Sequence, residues 1–160
     1  DIEIRMGDGL APLNPGEQQG VIIAGMGGST MEGILERSPE VIGCLKWLLL
    51  QPMGGSSALR GWLQRHRWQI VKESLVKERG IICPIILATP GEMNEMSDFE
   101  ATYGPLNLAQ SPPLLFEAMQ EDLKKYQRIL EGLNRAKDYI DESKKAEIEA
   151  HIRRIKEWIQ

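Results

Sequence analysis

The stretch from Gly20 to Glu36 constrains the fold more than any other. A continuous apolar run, Gly20 to Ala24, is broken by Gly25-Met26-Gly27-Gly28-Ser29 and followed at once by a helical stretch, Thr30 to Glu36. A strand that is apolar without alternation is what a parallel sheet covered on both faces requires. Leu45 to Leu50 repeats the plan as another buried strand, stopped by Gln51-Pro52 and the Gly54-Gly55 pair, and Ser56 or Ser57 stands ready to cap a helix through His66. Trp68 to Val76 and Ile81 to Ala88 read as two further strands, joined at Lys77-Glu78-Arg79-Gly80 closely enough for an antiparallel hairpin. Ahead of all these, Ile2, Ile4 and Met6 alternate with polar residues and run into Gly7-Asp8-Gly9, a strand ending in a glycine-rich turn. Strand, helix, strand, helix and a closing hairpin form the ending of a doubly wound α/β sheet, mostly parallel with one reversed strand.

Between Pro90 and Pro113 the chain is rich in Gly, Pro, Asn, Ser and Asp, and reads as a linker or ordered loop carrying Tyr103-Gly104-Pro105. From Leu114 the period changes: Met119, Leu123, Tyr126, Leu130 and Leu133 recur at alternating four- and three-residue spacing, the seam of a coiled coil, and Ile148, Ile152, Ile155 and Ile159 repeat it. Asp138 to Ser143 is polar enough to turn, so the two helices are expected to lie antiparallel as a coiled-coil hairpin. The expected division is residues 1–112 for the sheet and its trailing loop and 113–160 for the helical hairpin.

Trp47 to Leu50 and Ile81 to Leu87 fall well below the roughly 18 continuous apolar residues of a membrane span. Asp1 to Arg5 has neither the basic start nor the apolar core of a secretory signal, which makes the cytoplasm the expected compartment. Cys44 and Cys83 lack metal-type spacing and read as reduced apolar residues, with no metal site expected. Nineteen Lys and Arg against 23 Asp and Glu give a formal charge of -4. Any contact with nucleic acid must therefore come from local patches, since the attraction depends on cations neutralising phosphates. The candidate patches are Arg60, Arg65 and Arg67 beside His66, then Lys72, Lys77 and Arg79, then Lys124, Lys125 and Arg128 on a helix. A solvated surface is the simpler reading of each. His66 and His151 read as surface helix residues, and Trp62 and Trp68 as core rather than base-stacking platforms. Glu73 and Glu78 fall on hairpin strands, where outward charges are expected.

Gly25-Met26-Gly27-Gly28 after a buried strand suggests a dinucleotide fingerprint, but Thr30 occupies the sixth position and the next strand ends in Gln51-Pro52 instead of an acidic residue for a ribose. A longer series is more informative: Arg5-Met6-Gly7-Asp8-Gly9-Leu10, Ala24-Gly25-Met26-Gly27-Gly28, Leu50-Gln51-Pro52, Arg60-Gly61-Trp62-Leu63, Trp68 and Glu73. In this order and spacing the chain resembles the bacterial TrmK family, the tRNA (adenine-22 N1) methyltransferases. Tyr103-Gly104-Pro105 and the terminal helices extend the resemblance over essentially the whole chain.

The resemblance implies a Rossmann-like class I methyltransferase sheet of spatial order 3-2-1-4-5-7-6, S-adenosyl-L-methionine as cofactor and tRNA as partner. It places the strand at Ile2 to Met6 third, so the first two strands, with their cofactor-binding turn and acidic residue, are expected to lie outside this chain. The chain alone is then expected to be inactive. Asp8 would accept a hydrogen bond from the cofactor adenine, and Gly9 and Leu10 would line that ring. Ala24, Gly25, Met26 and Gly27 would floor the site beneath the sulfonium methyl. A backbone carbonyl at Ala24 or Gly25 would hold the exocyclic amine of the target base, and Gln51 would add a base-edge contact. Arg60, Lys124, Lys125 and Arg128 are the cations offered to RNA, and the helical hairpin would grip tRNA or self-associate. Read without the family, Asp8-Gly9 is an ordinary turn and Gly27-Gly28 a close strand-to-helix approach. Two alternatives stay open: a non-catalytic tRNA- or partner-binding module, and another class I RNA methyltransferase.

Overall fold

The computed structural model describes residues 2–135 and 142–160, which fall into two compact units, Asp1–Ala109 and Gln110–Gln160. In unit 1, β1 (Gly20–Gly27) leads directly into α1 (Gly28–Glu36), a short α2 (Pro39–Ile42) and β2 (Trp47–Gly54). Then come α3 (Ser56–Arg65), β3 (Trp68–Glu78), β4 (Ile81–Pro90), α4 (Asp98–Tyr103) and α5 (Pro105–Gln110). The sheet has the order β1-β2-β4-β3, with β1 and β2 parallel and β4 antiparallel to both its neighbours. This is the expected pattern of one reversed strand, and it matches the last four places, 4-5-7-6, of the sheet order implied by the resemblance.

Strand pairing explains which side chains are buried. Val21 and Ile23 lie opposite Leu48 and Leu50, and Leu50 lies opposite Ile86, so all five point to one face. There they join Met31, Leu35, Leu59, Trp62 and Leu63 from the helices in one core. The other face of β1 leaves Ile22 64% exposed, so the helices of unit 1 do not cover both faces as the apolar run suggested. At the hairpin, Arg79 and Gly80 have φ of 51° and 82° between paired Glu78 and Ile81. Two consecutive positive φ values are what a two-residue turn needs to match the twist of its strands.

Three local expectations are corrected. Ile2 to Met6 forms no strand, and Ile2, Ile4 and Met6 are 95%, 88% and 96% exposed. Alternation alone does not hold a strand, which needs a neighbour for its backbone groups and a surface for its apolar face. Arg5 instead donates to the Glu17 carboxylate and the Pro12 carbonyl, and the Arg5 guanidinium pulls the Glu17 carboxyl down to about 2. Neither Ser56 nor Ser57 caps α3; its N-cap is Gly55, left-handed at φ 70°, and Ser56 is already helical. The stretch after Pro90 is not a plain loop, because Ser97 and Glu100 form a reciprocal capping box that starts α4.

Unit 2 contains α6 (Pro113–Arg135) and α7 (Glu142–Ile159). Met119, Ile148, Ile152 and Ile155 are buried, while Leu123, Tyr126, Leu130, Leu133 and Ile159 are partly so, as the seam required. Tyr126 meets His151 with ring centroids 4.6 Å apart. Each of the two sits nine residues from the end of its helix nearer the connection, which fits helices running in opposite directions. The turn expected from Asp138 falls on residues outside the described ones.

Burial, reinforced by Arg154 and opposed by Asp122, lowers the His151 pKa below 6.5. The sign follows from proton counting: below about 6.5 the unfolded chain binds the proton more readily than the native one, so stability falls with pH there and is unaffected above. Between pH 7.5 and 5.5 the wild-type chain should lose more stability than His151→Gln, compared by urea unfolding. Parallel profiles would remove His151 as the cause.

Candidate functional site

The end of β1 is where unusual backbone and open space coincide. Gly25 is left-handed at φ 75°, and the pairing with β2 shifts register between Ala24 and Met26 and again before Gly27. The glycine run is thus a bulged strand end rather than a free turn, the kind of feature that re-aims groups beside a site. Its exposed N–H, at Gly25, donates to Gln51 Oε1 at 2.9 Å. A backbone N–H can only donate, so this bond fixes the Gln51 amide with its oxygen toward β1 and its nitrogen away. Nε2 then turns to the sulfurs beside it, donating to the thioether of Met53 at 3.5 Å and hydrogen-bonding Cys83, both weak partners. A side chain at Gly25 or Gly54 would meet nothing within 4 Å, and one at Gly27 only Thr30 Oγ1 at 3.9 Å. Ala24, Gly25, Met26 and Gly27 are all exposed. The rim at the carboxyl ends of β1 and β2 is therefore open over its glycines, as a close backbone approach to a ligand demands, with Met26 and Met53 exposed beside them.

Beside it lies a cavity of about 370 Å³, in the size range of small-molecule sites. Gln51 and Met53 form one wall, and Val76, Glu78, Ile81 and Cys83 the other, with Arg79 at the hairpin tip. Val76 is paired with Cys83 and Glu78 with Ile81, so these four side chains share one face of the hairpin. Burial raises the Cys83 thiol pKa; a hydrogen bond from Gln51 opposes this and the Glu78 charge adds to it. Cys44 is exposed and Cys83 buried, and neither is bonded to another cysteine. Among the described residues no cluster of His, Cys, Asp or Glu is arranged to hold a metal, and no helix is long and apolar enough to cross a membrane.

The other sequence candidates lie elsewhere. Asp8 is mostly exposed and pairs with Arg37 at 3.3 Å, just past the last residue of α1. A side chain on Gly9 would strike Ile34 at 2.8 Å, and Leu10 is buried in the core. Asp8 and Gly9 thus pack along α1, at the Arg37 guanidinium, which lies back beside Gly33, and at Ile34. The structure joins Gly25 to Gln51 at the start of α1 and seats Asp8 and Gly9 along the same helix.

Arg60, offered to RNA, and Glu73, expected to face outward, are both corrected: they are 1% and 2% exposed and form a buried ion pair at 2.8 Å. The Arg60 guanidinium also donates to the carbonyls of Ala101 and Thr102, at 2.8 and 3.0 Å, and Glu73 accepts from the Leu106 N–H at 2.9 Å. A side chain at Gly104 would come within 2.5 Å of the Glu73 carboxylate. Tyr103-Gly104-Pro105 therefore serves to seat α4 and α5 on this pair. Lys124, Lys125 and Arg128 are exposed on α6. Trp62 and Trp68 are buried, and His66 stacks on Trp62 with centroids 4.1 Å apart.

Comparison with known proteins fits this arrangement. The profile of TrmK, described as tRNA (adenine(22)-N(1))-methyltransferase, matches residues 1–157. A Bacillus subtilis (strain 168) protein named tRNA (adenine(22)-N(1))-methyltransferase is 28% identical over 142 residues, covering 86% of this chain and 60% of its own length. This chain thus spans under two thirds of that relative. A Streptococcus agalactiae protein of the NADB-Rossmann superfamily superposes with a TM-score of 0.84 at 28% identity, over 98% of this chain and 67% of that one. A Streptococcus pneumoniae candidate tRNA (m1A22) methyltransferase, solved with S-adenosyl-L-methionine, gives 0.84 at 29% identity over the same 98% and 67%. With its profile matched almost from end to end and its sheet shared with these neighbours, the chain belongs to the TrmK family.

Proposed function

We infer that this chain supplies the rim on which a tRNA adenine is methylated at N1 with S-adenosyl-L-methionine as donor, position 22 being the target by family. The observation that carries this reading is the Gly25–Gln51 hydrogen bond at a bulged strand end with open space over Gly25 and Gly54. The cofactor supplies an electrophilic methyl carbon on a sulfonium sulfur. The adenine N1 lone pair forms the new N–C bond as the C–S bond breaks and its electrons return to sulfur, leaving a cationic base. N1 is its own nucleophile, so what the protein contributes is alignment and electrostatic support rather than a strong base.

In this reading Ala24, Gly25, Met26 and Gly27 floor the methyl group, a carbonyl at Ala24 or Gly25 takes the exocyclic amine, and Gln51 locks the floor and offers Nε2 to the base. Asp8 accepts from the cofactor adenine amine, and Gly9 and Leu10 line that ring. Lys124, Lys125 and Arg128 are the cations available to tRNA phosphates.

The test is to incubate the native polypeptide carrying this sequence with tRNA and methyl-labelled cofactor, then digest to nucleosides. The expected product is 1-methyladenosine in the D-arm region, with Gln51→Leu lowering kcat/KM about tenfold, the effect of one hydrogen bond. Binding of tRNA without any methylated nucleoside would favour a non-catalytic module and end this reading.

A further inference from the structure

The cavity between β2 and the hairpin tip is not explained by holding a methyl donor, and its lining has the character of a nucleobase site. Its two walls come from different elements. Met53, Val76 and Ile81 are 48%, 39% and 50% exposed, an unusual grouping of large apolar side chains around one opening. A thioether opposed to branched aliphatic groups is a surface on which a flat ring can lie. The Gln51 amide joins this cavity to the glycine rim, its oxygen committed to Gly25 and its nitrogen directed toward Met53.

Glu78 shares the hairpin face of Val76, Ile81 and Cys83, which sets a carboxylate in a largely apolar lining. The tip bears a further sign of function. Arg79 is held left-handed at φ 51°, where Asn or Gly would sit with less strain. Strain of this kind is a reason to look for a role, and here it projects a cation at the mouth of the cavity.

Resting on the methyltransfer reading above, we propose that this cavity receives the target adenine swung out of the RNA, and that Glu78 is the residue that selects adenine and supports its methylation. The ring lies between Met53 and the Val76–Ile81 wall. The carboxylate of Glu78 accepts from one hydrogen of the exocyclic amine, the other going to the Ala24 or Gly25 carbonyl, while guanine would turn a carbonyl oxygen toward the carboxylate and be repelled. As N1 takes the methyl group the ring becomes cationic, and a carboxylate on the adjoining amine is attracted to that charge most strongly when it has fully developed. Gln51 Nε2 donates to a ring nitrogen other than N1, leaving the nucleophilic lone pair free. Arg79 meets the phosphate of the extruded nucleotide.

The experiment uses the native polypeptide with two variants, Glu78→Gln and Ile81→Trp, assayed with tRNA for kcat and KM and with S-adenosylhomocysteine by calorimetry. Glu78→Gln should lower kcat about tenfold with little change in KM, because the lost charge matters most at the transition state. Ile81→Trp fills the cavity from a half-exposed wall and should lower kcat/KM at least tenfold. Both variants should bind S-adenosylhomocysteine within twofold of wild type, a readout that a collapsed fold would not preserve. Wild-type turnover by either variant overturns the proposal while leaving the methyltransfer reading standing. A wild-type protein that forms no 1-methyladenosine overturns both.

Discussion

Arg60→Met is expected to destabilise unit 1 by about 3–5 kcal/mol, the usual consequence of removing one partner from a buried ion pair. The reason is geometric. Glu73 would remain at 2% exposure with a carboxylate still bound to the Leu106 N–H and no cation beside it. The carbonyls of Ala101 and Thr102 would lose their donor as well, freeing the end of α4. Burial already holds the Arg60 guanidinium below its ordinary pKa, with Glu73 opposing that shift, so the pair is balanced between desolvation and attraction. Replacing both residues, Arg60→Met with Glu73→Leu, removes both charges together. The double variant should therefore lose clearly less than the sum of the two single losses. Urea unfolding of the four proteins gives the cycle, and strictly additive losses would show that the two charges do not depend on each other.

Gly28→Ala should destabilise the chain by roughly 2 kcal/mol or more, against the usual direction for such a change in a helix. A methyl group there would sit 2.3 Å from the Gly55 carbonyl oxygen and 2.8 Å from its carbon, and neither backbone atom can swing aside like a side chain. Gly33→Ala in the same helix is the control. Its added carbon meets only the far end of the Arg37 side chain, at 3.2 Å, so it should stabilise by about 0.5–1 kcal/mol through helix propensity. Opposite signs for the two variants in thermal unfolding are the expected result. Equal gains would mean that α1 and the start of α3 are free to separate. The same contact bears on function, because α1 begins at the open glycine rim and displacing it would disturb the Gly25–Gln51 bond.

Much of the architecture was readable because it is written in neighbouring residues. The four strands and the helices α1 and α3 of unit 1 followed from apolar runs and glycine breaks, the hairpin from its short polar connection, and the seam of α6 and α7 from its spacing. The capping box at Ser97 and Glu100 was equally local and would have revealed α4 in a stretch that read as linker. Gly28 also fits the plainer reading of a close strand-to-helix approach. The failures have a different origin. Glu73 looked like an outward charge and Arg60 like a surface cation because each is polar. Their burial depends on a partner 13 positions away and on carbonyls some 40 positions further along.

What the amino-acid sequence determined by itself was the four paired strands, the longer helices, their order and the family, since these depend on periodicity, turn chemistry and motif series along the chain. Only the tertiary structure decided that Gln51 fastens the bulged end of β1, that Arg60 and Glu73 are internal, that Asp8 pairs with Arg37, and that Glu78 faces a cavity. Each of these depends on which distant groups approach within hydrogen-bonding distance, and that is set by sheet order and packing together, which no local pattern of residues records.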